Sequence, residues 1–143
     1  MLLKVCILFF LLIFPLNSYS KEIPIIVIAP NKKPQSLSVV GTSVVIFDEE
    51  YLNNSTEYFL GDVLSSKTTS ANFFQSGGHG TASAIQLRGM PKRYSTVYID
   101  GVKMSDPSSV SNDFDFNNIL TSQISRVEIL KGNQSSIYGS GAI

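Results

Sequence analysis

The chain has 143 residues, with 11 basic and 11 acidic side chains, one histidine and one cysteine. That length suits a single domain, and the even charge excludes the concentrated basic face carried by nucleic-acid binders. One cysteine leaves no disulfide framework and no thiolate metal site.

Residues 1–20 are read as a secretory signal peptide. Lys4 precedes an apolar run from Val5 to Leu16, and Ser18 and Ser20 are the small residues that cleavage after Ser20 needs. The run is shorter than the roughly 20 residues that span a bilayer. Cleavage would remove Cys6 and leave about 123 residues, enough for one modest core. The remainder is rich in Ser, Asn and Thr and holds three arginines, a composition suited to polar, hydrated contacts.

Residues 21–38 are expected to form an extended segment and a tether. Ile25, Ile26, Val27 and Ile28 have high strand propensity, but Pro24 and Pro30 bracket them and Pro34 follows. Proline cannot donate to a ladder, so it confines strands to edges. The pattern predicts a strand outside the core, able to pair with the edge of another sheet. The alternative is an ordinary edge strand of the domain itself.

Residues 39–143 are expected to form the domain proper. Residues 44–47 read as a short buried strand. Asp48 is placed to cap a brief helix through Glu49, Glu50, Tyr51 and Leu52, with both glutamates in the first turn. Thr56 is placed to cap a second helix over 57–65, where Phe59, Leu60, Val63 and Leu64 recur at helical spacing. Two strands, 72–75 and 84–87, flank a turn containing Gly77, Gly78 and Gly80. Val97 and Ile99 alternate with Thr96 and Tyr98 and lead into Asp100-Gly101, a two-residue hairpin turn before Val102 and Met104. A polar loop over 105–115 is long enough to suggest a function. A helical turn about 116–120 and a final strand, 124–130, complete the pattern.

No catalytic constellation emerges. The stretch Gly77-Gly78-His79-Gly80 lacks the Lys-Ser/Thr and the following helix of a phosphate loop. His79 has no second histidine to join it at a metal site and reads as a solvated loop residue. Asp106, Asp113 and Asp115 lack EF-hand spacing and read as solvated acids, with a calcium site as the alternative. Gly139-Ser140-Gly141 lacks the strand-then-helix frame of a nucleophile elbow, and no serine has a base set to activate it. The reading is of a protein that is not an enzyme, with no catalytic residues, no cofactor and no metal.

Four stretches, in one order, resemble the plug domain of TonB-dependent outer-membrane receptors. Glu22 to Ala29 is similar to the TonB box, an acidic residue followed by apolar residues and alanine. Leu87-Arg88-Gly89 resembles the "IRG" element, and Val97 to Val102 resembles the hairpin with "IDG". Arg126-Val127-Glu128-Ile129-Leu130-Lys131-Gly132, with Ser135 and Ile137-Tyr138-Gly139, resembles the "RVEVLRGPxSxLYG" signature. Asn133 stands where that signature usually has proline. Within the family, "SGGHGTASAIQLRG" and the long loop after "YIDGVKM" are most similar to the vitamin B12 (cobalamin) receptor branch.

The resemblance implies an α+β fold, a small mixed β-sheet with short helices and long loops, seated in a polar β-barrel lumen. It implies a barrel following the domain, with residues 139–143 leading into its first strands. It implies binding of the periplasmic domain of TonB through Glu22, Ile23, Pro24, Ile25, Ile26, Val27, Ile28 and Ala29. It implies a corrinoid or metal-chelate ligand at Phe73, Phe74, Gln75, Ser76, His79, Arg93, Tyr94, Ser108, Ser109 and Val110. Arg88, Arg126 and Glu128 would meet the barrel. The whole receptor would lie in the outer membrane and carry out energy-coupled uptake, and the fragment alone would be exported to the periplasm. Two alternatives are the plug of a ferric-siderophore receptor and a free periplasmic binding module without a barrel.

Overall fold

The computed structural model describes residues 24–109 and 114–142. The leader, Glu22, Ile23, Val110 and Asp113 lie outside the described residues. Among those described, eight short strands and three short α-helices give the expected α+β class.

The N-terminal segment opens with β1 (Ile26–Val27), paired antiparallel with β2 (Gln35–Ser36). The stretch expected to be a tether therefore returns as the second strand of a hairpin. A 3-10 turn at Leu37–Val39 leads to β3 (Ser43–Phe47). Helix α1 (Glu49–Asn53) starts as the sequence predicts, with Asp48 Oδ1 accepting from the Tyr51 amide at 2.9 Å. Glu49 and Glu50 occupy its first turn, where carboxylates oppose the positive end of the helix dipole.

Helix α2 (Leu60–Lys67) begins three residues later than its expected start, with Phe59 as N-cap and no side-chain cap bond. Thr56 Oγ1 instead donates to Glu57 Oε2 at 3.0 Å. The backbone around Phe59 is taken by a distant segment. Thr121 N donates to Tyr58 O at 3.0 Å, and Leu60 N donates to Ile119 O at 2.9 Å. This non-local bridge holds Phe59 extended and overrides the local capping signal.

Strands β4 (Ala71–Gln75) and β5 (Ser83–Leu87) pair with Phe73 opposite Ile85. Strands β6 (Val97–Ile99) and β7 (Val102–Met104) join through Asp100 and Gly101, at φ of 49° and 82°. Two left-handed residues in succession are what a tight hairpin of matching twist requires. A hydrogen-bonded turn lies where one was expected after Phe116, with Ile119 N donating to Phe116 O at 3.3 Å, and a 3-10 turn follows at Thr121–Gln123. Phe116 is buried in the core, and Leu120 is held in the bridge to Phe59. Strand β8 (Val127–Lys131) and a single-turn helix, α3 (Ser135–Tyr138), end the described chain.

The strands form four antiparallel pairs, β1–β2, β3–β8, β4–β5 and β6–β7. The β3–β8 pair joins the two ends of the domain, with Val45 opposite Ile129 and Phe47 opposite Val127. The core gathers on it from Phe47, Leu52, Leu60, Val63, Leu64, Ile85, Phe116 and Ile129. Helix α2 lies so close to β4 that a Cβ on Gly61 would collide with the Phe73 ring. Only glycine leaves room for that ring.

Candidate functional site

Two groups of candidate residues can be followed in the structure, the N-terminal strand and the loops expected to carry ligand. The strand is the better defined of the two. The bond from Leu37 N to Ile25 O, 2.8 Å, sets the direction in which its backbone groups point. In an antiparallel pair, alternate residues turn their N–H and C=O toward the partner and away from it. Ile25 and Val27 therefore face β2, and Ile26 and Ile28 face outward.

That outward edge is met by side chains from the other end of the chain. Arg126 Nη2 donates to Ile26 O at 2.6 Å. The amide of Ile28 donates to Glu128 Oε2 at 3.0 Å, and the amide of Ala29 donates to the same oxygen at 2.8 Å. Arg126 Nε in turn donates to Glu128 Oε1 at 2.7 Å, forming an ion pair. Tyr138 donates its hydroxyl to Ala29 O. The Lys32 ammonium lies 4.9 Å from the centre of the Tyr138 ring and 5.4 Å from that of Tyr98, within cation–π range. The two tyrosine rings meet edge to face at 4.8 Å.

Strand alternation explains why these side chains are available. Arg126 and Glu128 fall on one face of the β8 segment, and Val127 and Ile129 fall on the other, which packs in or against the core. Burial pushes the Glu128 carboxyl upward, but the Ala29 amide, Arg126 and the Ile28 amide outweigh it and hold the group below the usual carboxylate range. Burial raises the Tyr138 phenol, with Tyr98 and Glu128 adding to the effect. At neutral pH the seat thus contains a carboxylate and a protonated phenol, the forms its hydrogen bonds need.

The segment expected to stay out of the core is partly buried. Val27 is 0% exposed and Pro30 is buried, although Ile25, Ile26 and Ile28 are 56%, 45% and 52% exposed. One side chain anchors the strand while its neighbours remain open to solvent. The proline brackets gave no sign of this burial, nor that the outward edge would be bonded by residues 100 positions away. Tyr138, Tyr98 and Lys32 were not among the candidate residues. The aromatic residue before Gly139 was the available signal.

The expected ligand residues are not all gathered in one place. Phe73 is half-buried, packed against the core with its ring beside Gly61. Its neighbour Phe74 is 48% exposed. Gln75 Nε2 donates to Gly78 O at 2.8 Å and Ser76 N donates to Ala82 O at 3.0 Å, stiffening the glycine turn. His79 stacks on Phe59 at 4.3 Å between ring centres. Asp115 fastens the end of the long loop to this hairpin: its Oδ1 accepts from Ser83 Oγ at 2.6 Å, and Asn117 Nδ2 reaches Gly80 O at 3.4 Å. Asp106 accepts from Ser108 N and Oγ at 2.8 and 2.6 Å, and Ser109 N donates to Asp106 O at 3.1 Å.

Arg93 and Tyr94 lie beyond the opposite end of β5 from the glycine turn. The Arg93 guanidinium rests 4.8 Å from the Tyr94 ring centre. Tyr94 lines an open cleft of about 860 Å³ together with Ile28, Tyr98 and Gln134. Arg88 sits at φ 55°, its amide bonded to Ser70 O at 2.6 Å and its side chain near Gly132. Among the described residues, no three His, Cys, Asp or Glu side chains are grouped to hold a metal ion.

Comparison with known proteins identifies similar chains. The family model described as TonB-dependent Receptor Plug Domain matches residues 36–143. The Vitamin B12 transporter BtuB of Vibrio vulnificus is 30% identical over 118 residues, covering 82% of this chain and 19% of that protein. The Vitamin B12 transporter BtuB of Photobacterium profundum is 37% identical over 68 residues, covering 48% of this chain and 11% of that protein. The chain thus spans less than a fifth of the length of these curated relatives.

Proposed function

The chain belongs to the plug domains of TonB-dependent receptors, and from that premise we propose that it gates an outer-membrane transporter for a corrinoid such as vitamin B12. In this reading the segment 22–29 binds the periplasmic domain of TonB by strand addition, through main-chain hydrogen bonds. Ligand settles against Phe74, the glycine turn and the loop containing Ser108, and its binding frees the N-terminal strand. Arg88 remains the proposed contact with the barrel.

The observation that carries the coupling step is the construction of β1. Its outward edge is held by side chains instead of a continuous ladder, so it can exchange one set of hydrogen bonds for another. The substrate proposal is supported by similarity to two vitamin B12 transporters.

A peptide spanning residues 21–33 should bind a purified periplasmic TonB domain. Changing Ile26 and Val27 to aspartate should abolish that binding, and unchanged binding would refute strand addition. Calorimetry on a complete receptor carrying this plug should show heat with cobalamin and none with a ferric siderophore. The reverse result would assign the plug to the siderophore class.

A further inference from the structure

We propose that Arg126 and Glu128 act as a strand mimic, closing the outward edge of β1 to a partner strand until the pair is displaced. The inference rests on the reading of residues 22–29 as a strand-adding segment, and it adds how that segment is kept closed and by which atoms.

A strand joining β1 on its outward side would have to donate to Ile26 O and accept from Ile28 N, the groups that alternation turns away from β2. Arg126 supplies that donor at 2.6 Å, and Glu128 supplies that acceptor at 3.0 Å. One side chain thus stands in for a partner strand's N–H and the other for its C=O. The mutual bond at 2.7 Å holds the two groups in register, and Ala29 N adds a second amide to the carboxylate.

The mimic differs from a real strand in one respect. It covers two ladder positions and cannot extend past them. A true strand can add further main-chain bonds along the segment, so it can win once the local seat is disturbed. The Glu128 side chain is only 9% exposed, so leaving the seat means rehydrating a protected carboxylate. Arg126, at 35% exposed, is the more accessible half. The pair therefore sets the fraction of protein whose strand is open, and the apparent affinity for a partner strand scales with that fraction.

Binding of the periplasmic TonB domain is measured for the full chain, its variants and the free 21–33 peptide. The wild-type chain should bind at least about tenfold more weakly than the peptide. E128Q keeps the shape but loses the charge on the acceptor, and should recover most of that difference. The double variant R126E/E128R keeps an ion pair but reverses donor and acceptor, so it should open the edge as E128Q does. If the double variant binds like wild type, the pair acts only as a salt bridge and the proposal fails.

Amide hydrogen exchange at Ile28 and Ala29, without TonB, provides the second readout. Exchange at these two sites should rise at least about tenfold in E128Q while amides of β3 and β8 stay protected. Unchanged exchange at Ile28 and Ala29 overturns the proposal, as does equal binding by wild-type chain and peptide. A peptide that does not bind refutes the strand-addition reading itself. The guard is then decided by the exchange result alone.

Discussion

The β1 strand and the β3–β8 pair both join residues far apart in the chain, but by different forces. Strands β3 and β8 share five consecutive residue pairs, from Ser43–Lys131 to Phe47–Val127, with Phe47 and Ile129 in the core. Strand β1 has two residues paired with β2, one buried side chain, and an outer edge held by Arg126 and Glu128. A ladder backed by apolar burial opens only with global unfolding, whereas a short strand held by polar side chains opens locally. The domain thus combines a fixed centre with a detachable edge.

The largest expected effect strikes the fixed centre. Phe47→Ala removes a buried ring where β3, α1 and β8 meet, and should destabilise the domain by about 3–5 kcal/mol. Chemical denaturation reads the loss, and a cost under about 1 kcal/mol would mean that this centre is not the stable part. Gly61→Ala places a methyl group into the Phe73 ring and should cost about 1–3 kcal/mol. Adding Phe73→Leu to that variant should restore part of the loss if the clash is its cause. Asp48→Ala removes the cap of α1 and should cost about 1 kcal/mol.

The smallest global effect belongs to the detachable edge, and pH reveals it. Because Glu128 is held below the usual carboxylate range in the folded protein, its contribution is fully present above that range. It is lost as pH falls through the lowered folded value. Glu128 is the carboxylate of the seat, and Tyr138 stays protonated throughout, so acid acts on the seat through Glu128. Acidification should therefore lower the protection of the Ile28 and Ala29 amides, taken relative to their intrinsic exchange rates at the same pH, before the protection of the core amides falls. Simultaneous loss of protection in both regions would remove the distinction between centre and edge.

Several elements were legible from residues alone. Asp48 with Glu49 and Glu50 marked α1, and Asp100-Gly101 marked the tight β6–β7 turn, because each signal acts within three or four residues. The β4–β5 hairpin was also visible, with boundaries only slightly shifted, since its turn lies between its own strands. Thr56 misled because residues 58–60 are claimed by residues 119–121. Phe73 and Phe74 looked alike as neighbours, but strand alternation turned one ring inward and left the other exposed. Tyr94 was expected to share a ligand site with the glycine turn, and the path of the chain after β5 places it along a cleft that Ile28 also lines.

The amino-acid order alone determined the strand-forming run at 25–28, the turns, the first helix cap and the Arg–Val–Glu–Ile alternation at the other end of the chain. Each depends on a residue's own dihedral preferences or on partners a few positions away. Only the tertiary structure decided that Arg126 and Glu128 would meet Ile26, Ile28 and Ala29. Backbone groups carry no label in the sequence for a partner about 100 residues distant. The meeting requires β8 to present one face to the core and the other to the N-terminal hairpin, and that follows from packing.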